Sequence, residues 1–362
     1  MRPLAKPGRQ AAAAGRLDPD TGANAAGSAG KRRRPLVERG RTLAGTLFDL
    51  LRNLRDLRFR LDDVVANQAA LTQALGELQL NGFSDRAEDP ALSSRVCRQA
   101  DFGLEYAEWM RKMGLPLVAF RKEWEYVSIC RALAAADLLQ PGLRGLGFGV
   151  GREPLVSLFA AQGIEVVATD LAANDDRAAV WASTNQHALS IDALRNPKVC
   201  PDELLEKRVT IRPVDMSAIP DDLTGFDFVW SACALEHLGS LEAGMDFVEK
   251  AMDCLVPGGL AVHTTEFNLD SNETTVSDGP IVAYRKRDLE ALRERLTFRG
   301  HSMSPVLIGT RDGVLDRVLD MPPYQRRSLA LRLGPHRITS AVIVIQAVSA
   351  GERPRLVSPD SY

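Results

Sequence analysis

The stretch that decides the fold is Gly145-Leu-Gly-Phe-Gly-Val-Gly151, followed nineteen residues after its last glycine by Asp170. Leu143 and Leu146 form an apolar lead-in that reads as a strand, and Gly147, Gly149 and Gly151 then make a tight turn. Glu153–Ala161 reads as a helix, and Ile164–Asp170 reads as a second strand ending in an acid. Glycines without Cβ let the backbone come close to a nucleoside, and a carboxylate at the tip of the next strand can accept both ribose hydroxyls. Alone the triad is weak. Set in strand–turn–helix–strand–Asp, it is a much stronger signal.

The spacing separates two cofactor classes. A dinucleotide fingerprint needs G-x-G-x-x-G, because its last glycine lies in the helix that receives a pyrophosphate. Here the glycines fall at every second residue, and no G-x-x-G follows within the helix. The pattern resembles motif I of the class I S-adenosylmethionine-dependent methyltransferases, of the type 11 kind. One position departs from it: the family often carries an acid two residues before the first glycine, and this chain has Gly145 there. That acid's contact is absent or supplied from elsewhere.

The chain of 362 residues, 25% charged and 45% hydrophobic, has room for one large globular domain plus accessory segments. A net charge of −2 gives no overall nucleic-acid signature. Cys97, Cys130, Cys200, Cys233 and Cys254 are scattered without a CxxC pair, which suits a reducing compartment better than a disulfide framework. No apolar run approaches the roughly 18 residues that span a bilayer. The N-terminus lacks a hydrophobic signal core. A soluble, cytoplasmic protein is expected.

Residues 1–41 hold ten Lys/Arg against three Asp/Glu and show no apolar periodicity, so they are expected to be a disordered basic tail. Lys31-Arg-Arg-Arg34 reads as part of that solvated tail, the alternative being contact with nucleic acid, anionic lipid or an acidic partner. Residues 42–82 read as one long helix. Leu43, Leu47, Leu50, Leu54, Leu57, Leu61, Val64, Gln68, Leu71, Leu75 and Leu78 alternate steps of four and three, a heptad seam interrupted only by Gln68. So narrow a stripe suits a helix partner, and a homo-oligomeric coiled coil through residues 43–78 is expected, the alternative being a long helix folded back on its own domain. Residues 83–139 read as a helical lead-in, 140–350 as the main domain and 351–362 as a C-terminal tail.

Within the main domain the αβ alternation continues. A helix is expected around Arg177–Leu194, then strands at Val209–Asp215, Phe226–Ala232 and Leu260–Glu266, with a helix over Leu241–Leu255 before the last of them. A helix at Arg287–Phe298 and strands near Ser302–Ile308 and Ile338–Val348 close the pattern. The expected fold is α/β: a Rossmann-like, seven-stranded methyltransferase sheet with helices on both faces and an antiparallel last strand, preceded by the coiled-coil helix.

In such sheets ligands bind at the carboxyl ends of the strands. The resemblance implies S-adenosyl-L-methionine as cofactor, with Gly147, Gly149 and Gly151 along its methionine part and Asp170 on its ribose. It further implies Asp215 at the adenine amine and Met216 against the ring. Ala232-Cys-Ala-Leu-Glu-His-Leu238 resembles the family's fourth motif, and His237 is the candidate base for an attacking hydroxyl. Glu266 and Asn268 end the fifth strand toward the substrate side, where either could orient or deprotonate a nucleophile. Lys122, Trp124 and Glu125 belong to the helix that would lie beside the cofactor, whereas His263 reads as a satisfied core residue. No cluster has convincing metal-ligand spacing. Met321-Pro-Pro-Tyr324 resembles the (D/N)PPY signature of amino-methyltransferases, but it falls between the last two strands and reads as a loop.

The resulting expectation is methyl transfer to a small-molecule or saccharide acceptor, most simply O-methylation of a hydroxyl, with no membrane span and no nucleic-acid partner. The alternative is a coiled-coil assembly protein whose methyltransferase-fold domain is inactive.

Overall fold

The computed structural model describes residues 48, 50–58, 60–64, 67, 90–175, 177, 187, 188, 190–322, 324 and 327–348. The basic tail 1–41, much of the seam over 43–78, most of the helix expected at Arg177–Leu194 and the tail 351–362 lie outside the described residues. The chain divides into two compact units, Met1–Leu54 and Arg55–Tyr362. In the first, the described residues 48 and 50–54 are helical; in the second, residues 55–58, 60–64 and 67 are helical too. No described helix is long and apolar enough to cross a membrane.

The second unit is built on one sheet. Its parallel part comprises β2 (Arg144–Phe148), β3 (Glu165–Asp170), β4 (Val209–Pro213), β5 (Phe226–Ala232) and β6 (Leu255–Asn268). The order is β4-β3-β2-β5-β6, continued by β10 (His336–Gln346), which runs antiparallel to β6. β2 thus has β3 on one side and β5 on the other, which makes the β2/β5 boundary the switch point of the sheet. Phe226-Asp-Phe-Val-Trp-Ser-Ala232 and Ile338–Ile345 are rich in β-branched and aromatic residues, which suit a pleated surface covered on both sides.

The described sheet has ten strands rather than the seven expected. Strands β2 to β6, β7 (Ser302–Met303) and β10 occupy the seven expected positions. The additions are β1 (Arg95–Val96), which pairs with β10, and β8 (Leu319–Asp320) with β9 (Ala330–Leu333), which extend the edge beyond β10. Pairings of two to four residues leave no apolar period to read, so the sequence pattern passes over them. Because β1 joins the same sheet, the lead-in is part of this domain.

Helices cover both faces. α1 (Leu104–Lys112), α2 (Arg121–Ala135), α3 (Leu155–Ala161) and α4 (Asp202–Arg208) share one apolar cluster with Phe228 and Trp230. On the other face α5 (Leu241–Ala251) and α6 (Lys286–Phe298) pack with Leu146, Phe148 and Val229. Phe159 of α3 meets both Phe228 and Trp230 edge-on, at centroid distances of 5.4 and 5.1 Å. Such contacts add about 0.5–1.5 kcal/mol each beyond area burial.

The glycines of β2 are a consequence of this packing. A Cβ on Gly145 would lie 2.5 Å from the Phe228 ring, and one on Gly147 would lie 2.4 Å from Trp230. The missing acid at position 145 therefore has a steric cause: its space holds an aromatic ring of the neighbouring strand. Gly145→Ala is expected to destabilise the protein by about 1–3 kcal/mol, as overpacking does. Urea denaturation followed by circular dichroism measures this, and a change under half a kcal/mol would contradict the assignment.

Candidate functional site

The glycine turn closes at the carboxyl end of β2. Gly149 and Gly151 have φ of +58° and +49°, a left-handed backbone that favours glycine. The Val150 N–H donates to the Thr169 carbonyl at 3.0 Å, which ties the turn to β3. A Cβ on Gly149 would stand 3.0 Å from Ala234 Cβ and 3.4 Å from Met216 Sδ. The turn thus passes between the residue following β4 and the segment following β5.

Asp170 ends β3 and is 8% exposed. Its carboxylate accepts from the Leu171 amide at 2.8 Å and the Ala188 amide at 3.3 Å, and also from the backbone of Gly151. Burial outweighs these bonds and raises its pKa. Two carboxylate oxygens offer about four lone-pair sites, so Asp170 retains capacity for hydroxyl donors.

Asp215 lies nearer the surface. Arg177 donates to its Oδ2 at 2.6 Å, while the Ser217 amide and hydroxyl donate to Oδ1 at 2.9 and 2.5 Å. Burial alone would raise this carboxyl, but the bonds from Arg177 and Ser217 prevail and hold it below the usual range. Met216, beside it, is buried with its sulfur toward Gly149.

Beyond β5, Cys233 takes a φ of +47°, unusual for a residue with a side chain and costing about 1–3 kcal/mol. Its N–H is fixed by the Thr264 carbonyl at 3.2 Å and by Thr264 Oγ1 at 3.0 Å. The kink turns Leu235–His237 back as a single helical turn. His237 Nδ1 lies 2.8 Å from the Pro280 carbonyl. A carbonyl only accepts, so Nδ1 carries the proton and Nε2 is the basic nitrogen of the neutral ring. Nε2 lies 3.9 Å from Glu236 Oε1. Glu236 is fully buried; burial raises its pKa, against the pull of His237 and Lys122.

At the end of β6, Glu266 is 4% exposed and held by the start of α2. Arg121 Nη1 donates to its two oxygens at 2.7 and 2.9 Å, and Lys122 Nζ donates at 3.3 Å. Burial would raise the Glu266 carboxyl, but these cations reverse the sign and lower it, so it stays ionised. Arg121 Nη1 also reaches Ser340 Oγ at 3.1 Å. Ser340 in turn donates to Glu125, whose other oxygen accepts from Thr264 Oγ1 at 3.1 Å. The result is a buried charge network joining α2, β6 and β10.

Of the α2 residues singled out in the sequence, Lys122 and Glu125 join this network. Trp124 is core and donates its indole N–H to Asp101 at 2.8 Å. Arg121 carries no sequence signal of its role, because an arginine at a helix start reads as a solvated charge. Asn268 spends its amide on its own loop: it donates to the Thr274 carbonyl at 2.9 Å and accepts from the Asp270 and Ser271 amides at 2.9 and 3.2 Å. His263 is buried, contacts Ser231 Oγ at 2.8 Å and is pushed down to about 3 by burial, hence neutral. Tyr324 donates to the Arg332 carbonyl at 2.7 Å between β8 and β9, and the charges of Arg121 and Glu266 act on its hydroxyl.

One set of metal-type donors converges among the described residues: Cys233, Glu236 and Glu266, with ligand atoms within 4.8 Å of one another. Arg121 and Lys122 already bring two cations to Glu266 there, and burial holds the Cys233 thiol protonated. This donor set suits a charge-compensated network rather than a metal ion.

No family model matches the chain, and no curated protein is significantly similar to it. Solved structures with a related arrangement include three methyltransferases. The magnesium protoporphyrin IX methyltransferase of Synechocystis PCC 6803, crystallised with S-adenosylhomocysteine, is 14% identical, covers 67% of this chain and 94% of its own, and gives a TM-score of 0.38. The 1,6-didemethyltoxoflavin-N1-methyltransferase of Burkholderia thailandensis is 16% identical over 60% of this chain and 76% of its own, at a TM-score of 0.34. A phosphoethanolamine N-methyltransferase of Haemonchus contortus is 14% identical over 69% and 58%, at 0.37. Superpositions this loose leave the class of fold to be read from the chain's own strand order.

The network around Glu266 makes a stability prediction. Arg121→Met is expected to cost about 3–5 kcal/mol at neutral pH, because it strands buried carboxylate charge. Glu266 has a folded pKa below its unfolded value of about 4.3, so its contribution is present above that pH and is lost as pH falls through the folded pKa. The gap between wild type and Arg121→Met in urea midpoints should therefore narrow below about pH 4. A gap independent of pH would mark the effect as packing alone.

Proposed function

We propose that this protein transfers a methyl group from S-adenosyl-L-methionine to a hydroxyl of a small-molecule or saccharide acceptor. The observation that carries the reading is the convergence at the β2/β5 switch point. There the Gly147–Gly151 turn, the Asp170 carboxylate and Met216 line one edge, and His237 stands on the segment beyond β5. The residues present fit that cofactor: the left-handed Gly149 leaves a cradle between Ala234 and Met216, and Asp170 is held in place by three backbone amides.

The bound cofactor supplies an electrophilic methyl on a sulfonium. The chain supplies alignment and proton removal. Asp170 accepts the ribose hydroxyls, Asp215 with Met216 forms the adenine end, and the glycine turn presents backbone amides to the methionine end. His237, with Nδ1 pinned by Pro280, offers Nε2 to the acceptor hydroxyl as general base. Glu266, kept charged by Arg121, serves as a fixed anion that orients polar groups of the acceptor. The small-molecule preference rests on the polar loop Asp270–Asp278 after β6, which has no aromatic residue.

Calorimetry with S-adenosylhomocysteine tests the reading directly. Wild type should bind it, and Asp170→Ala should fold normally yet bind at least about tenfold more weakly, since a hydrogen bond to a charged group is worth roughly 1.5–3 kcal/mol. His237→Ala should retain that affinity. No binding by wild type would instead favour an assembly protein with an inactive domain.

We further propose that residues 43–78 associate as a parallel coiled coil of two or more copies. Within the second unit the described seam residues Leu57, Leu61 and Val64 are 54%, 61% and 49% exposed, apolar surface that a second helix would cover. Other residues of the same region face the domain: Asp63 accepts from Arg332 Nε at 2.9 Å, and Asn67 accepts from the Leu319 amide at 2.6 Å. Multi-angle light scattering at micromolar concentration should give an oligomer, and a monomer would refute this part.

A further inference from the structure

The glycine turn leads into α3 through Glu153, a carboxyl that neither the ribose, adenine nor acceptor role absorbs. Glu153 is 8% exposed. Its Oε1 accepts from the Trp230 indole at 2.5 Å, and Trp230 is the ring that lies beneath Gly147. Its neighbours are Asp170 at the end of β3 and Glu125, Tyr126 and Cys130 on α2. Among the described residues, none of the groups acting on it is basic. A buried carboxylate without a cation is costly, so the free protein holds this group as the neutral acid until a cation arrives. The contrast with Glu266, which has Arg121 and Lys122, is direct.

We propose that Glu153 is the anionic anchor for the ammonium group of the amino-acid end of the ligand seated on the glycine turn, a proposal that rests on the reading given under Proposed function. Three observations support it. The carboxyl follows the glycine turn by two residues and is held on the Trp230 ring that lies against Gly147. The space at position 145, two residues before the first glycine, is filled by Phe228, so no acid reaches the site from there. And the indole bond fixes one oxygen of Glu153, while no other hydrogen bond to its carboxyl is found among the described residues.

The free carboxyl is pushed up to about 8, chiefly by burial, with Asp170 and Glu125 adding to it and the Trp230 bond opposing. An ammonium beside it stabilises the carboxylate and lowers that value in the complex. Binding at pH 7 must then release close to one proton, and affinity should rise about tenfold per pH unit up to about pH 8.

The test compares S-adenosylhomocysteine with its analogue lacking the α-amino group, on wild type and Glu153→Gln, by calorimetry in buffers of different ionisation enthalpy. Glutamine keeps an oxygen for the Trp230 indole, and a thermal melt checks that the variant folds. Wild type should prefer the amino ligand by about tenfold or more and release about one proton at pH 7. In Glu153→Gln both the preference and the release should vanish. Should the variant fail to fold, proton release by wild type decides alone, and its absence overturns the anchor. An unchanged preference in Glu153→Gln overturns the anchor while leaving cofactor binding intact. Failure of wild type to bind S-adenosylhomocysteine overturns the functional reading itself, and the anchor with it.

Discussion

The constraint on which the rest depends is that two aromatic rings of β5 lie where β2 has no side chains. Phe228 and Trp230 face Gly145 and Gly147 in register, and each ring occupies the volume a Cβ would need. Phe159 of α3 closes over both rings edge-on. The helix after the glycine turn is thereby clamped to the neighbouring strand as well as to its own. Trp230 goes on to hold Glu153 through its indole N–H, so the same ring that enforces glycine at 147 also places the acid at the end of the turn.

A second constraint acts across the crevice. The first turn of α2 is joined to the ends of β6 and β10 by Arg121, Glu125, Glu266, Thr264 and Ser340, all nearly excluded from water. Each charged group has its partner, which is the condition under which a buried ionic network is tolerated. Such a network gives little net stability but a narrow choice of geometry. It fixes the lead-in helix against the sheet, while the left-handed Cys233 fixes the segment carrying His237.

Much of this was legible in the sequence, for identifiable reasons. The parallel strands read clearly because Val166–Asp170, Phe226–Ala232 and the middle of β6 are buried on both faces and write themselves as apolar runs ended by turn residues. Asp170 and the glycine turn were visible because both are local features. What escaped was non-local. The short strands β1, β8 and β9 exist only as pairings with distant partners. Arg121 becomes a site residue only through Glu266, which lies 145 positions away. The sequence leaves open whether the contact of an acid at Gly145 is absent or supplied from elsewhere; the cause of the glycine, the Phe228 ring, lies on another strand. Glu153 read as a helix-start residue, and nothing local reveals that its partner is an indole 77 positions further on.

The two glutamates make a final point about how neighbours set chemistry. Glu266 and Glu153 are the same side chain at similar burial, 4% and 8% exposed. Burial pushes both toward the neutral acid. Glu266 meets a guanidinium at 2.7 Å and an ammonium at 3.3 Å, so attraction reverses the effect and the group is an ion at any physiological pH. Glu153 meets one neutral donor and the charge of Asp170, so nothing reverses it and the group stands near 8. One side of the crevice therefore presents a permanent anion already satisfied by protein cations, and the other a latent anion with no counter-charge among the described residues. A ligand carrying a cation finds an unmet demand only at the second. On the proposed reading, that demand beside the glycine turn would give a bound ligand its direction, with the amino-acid end at Glu153 and the ribose at Asp170.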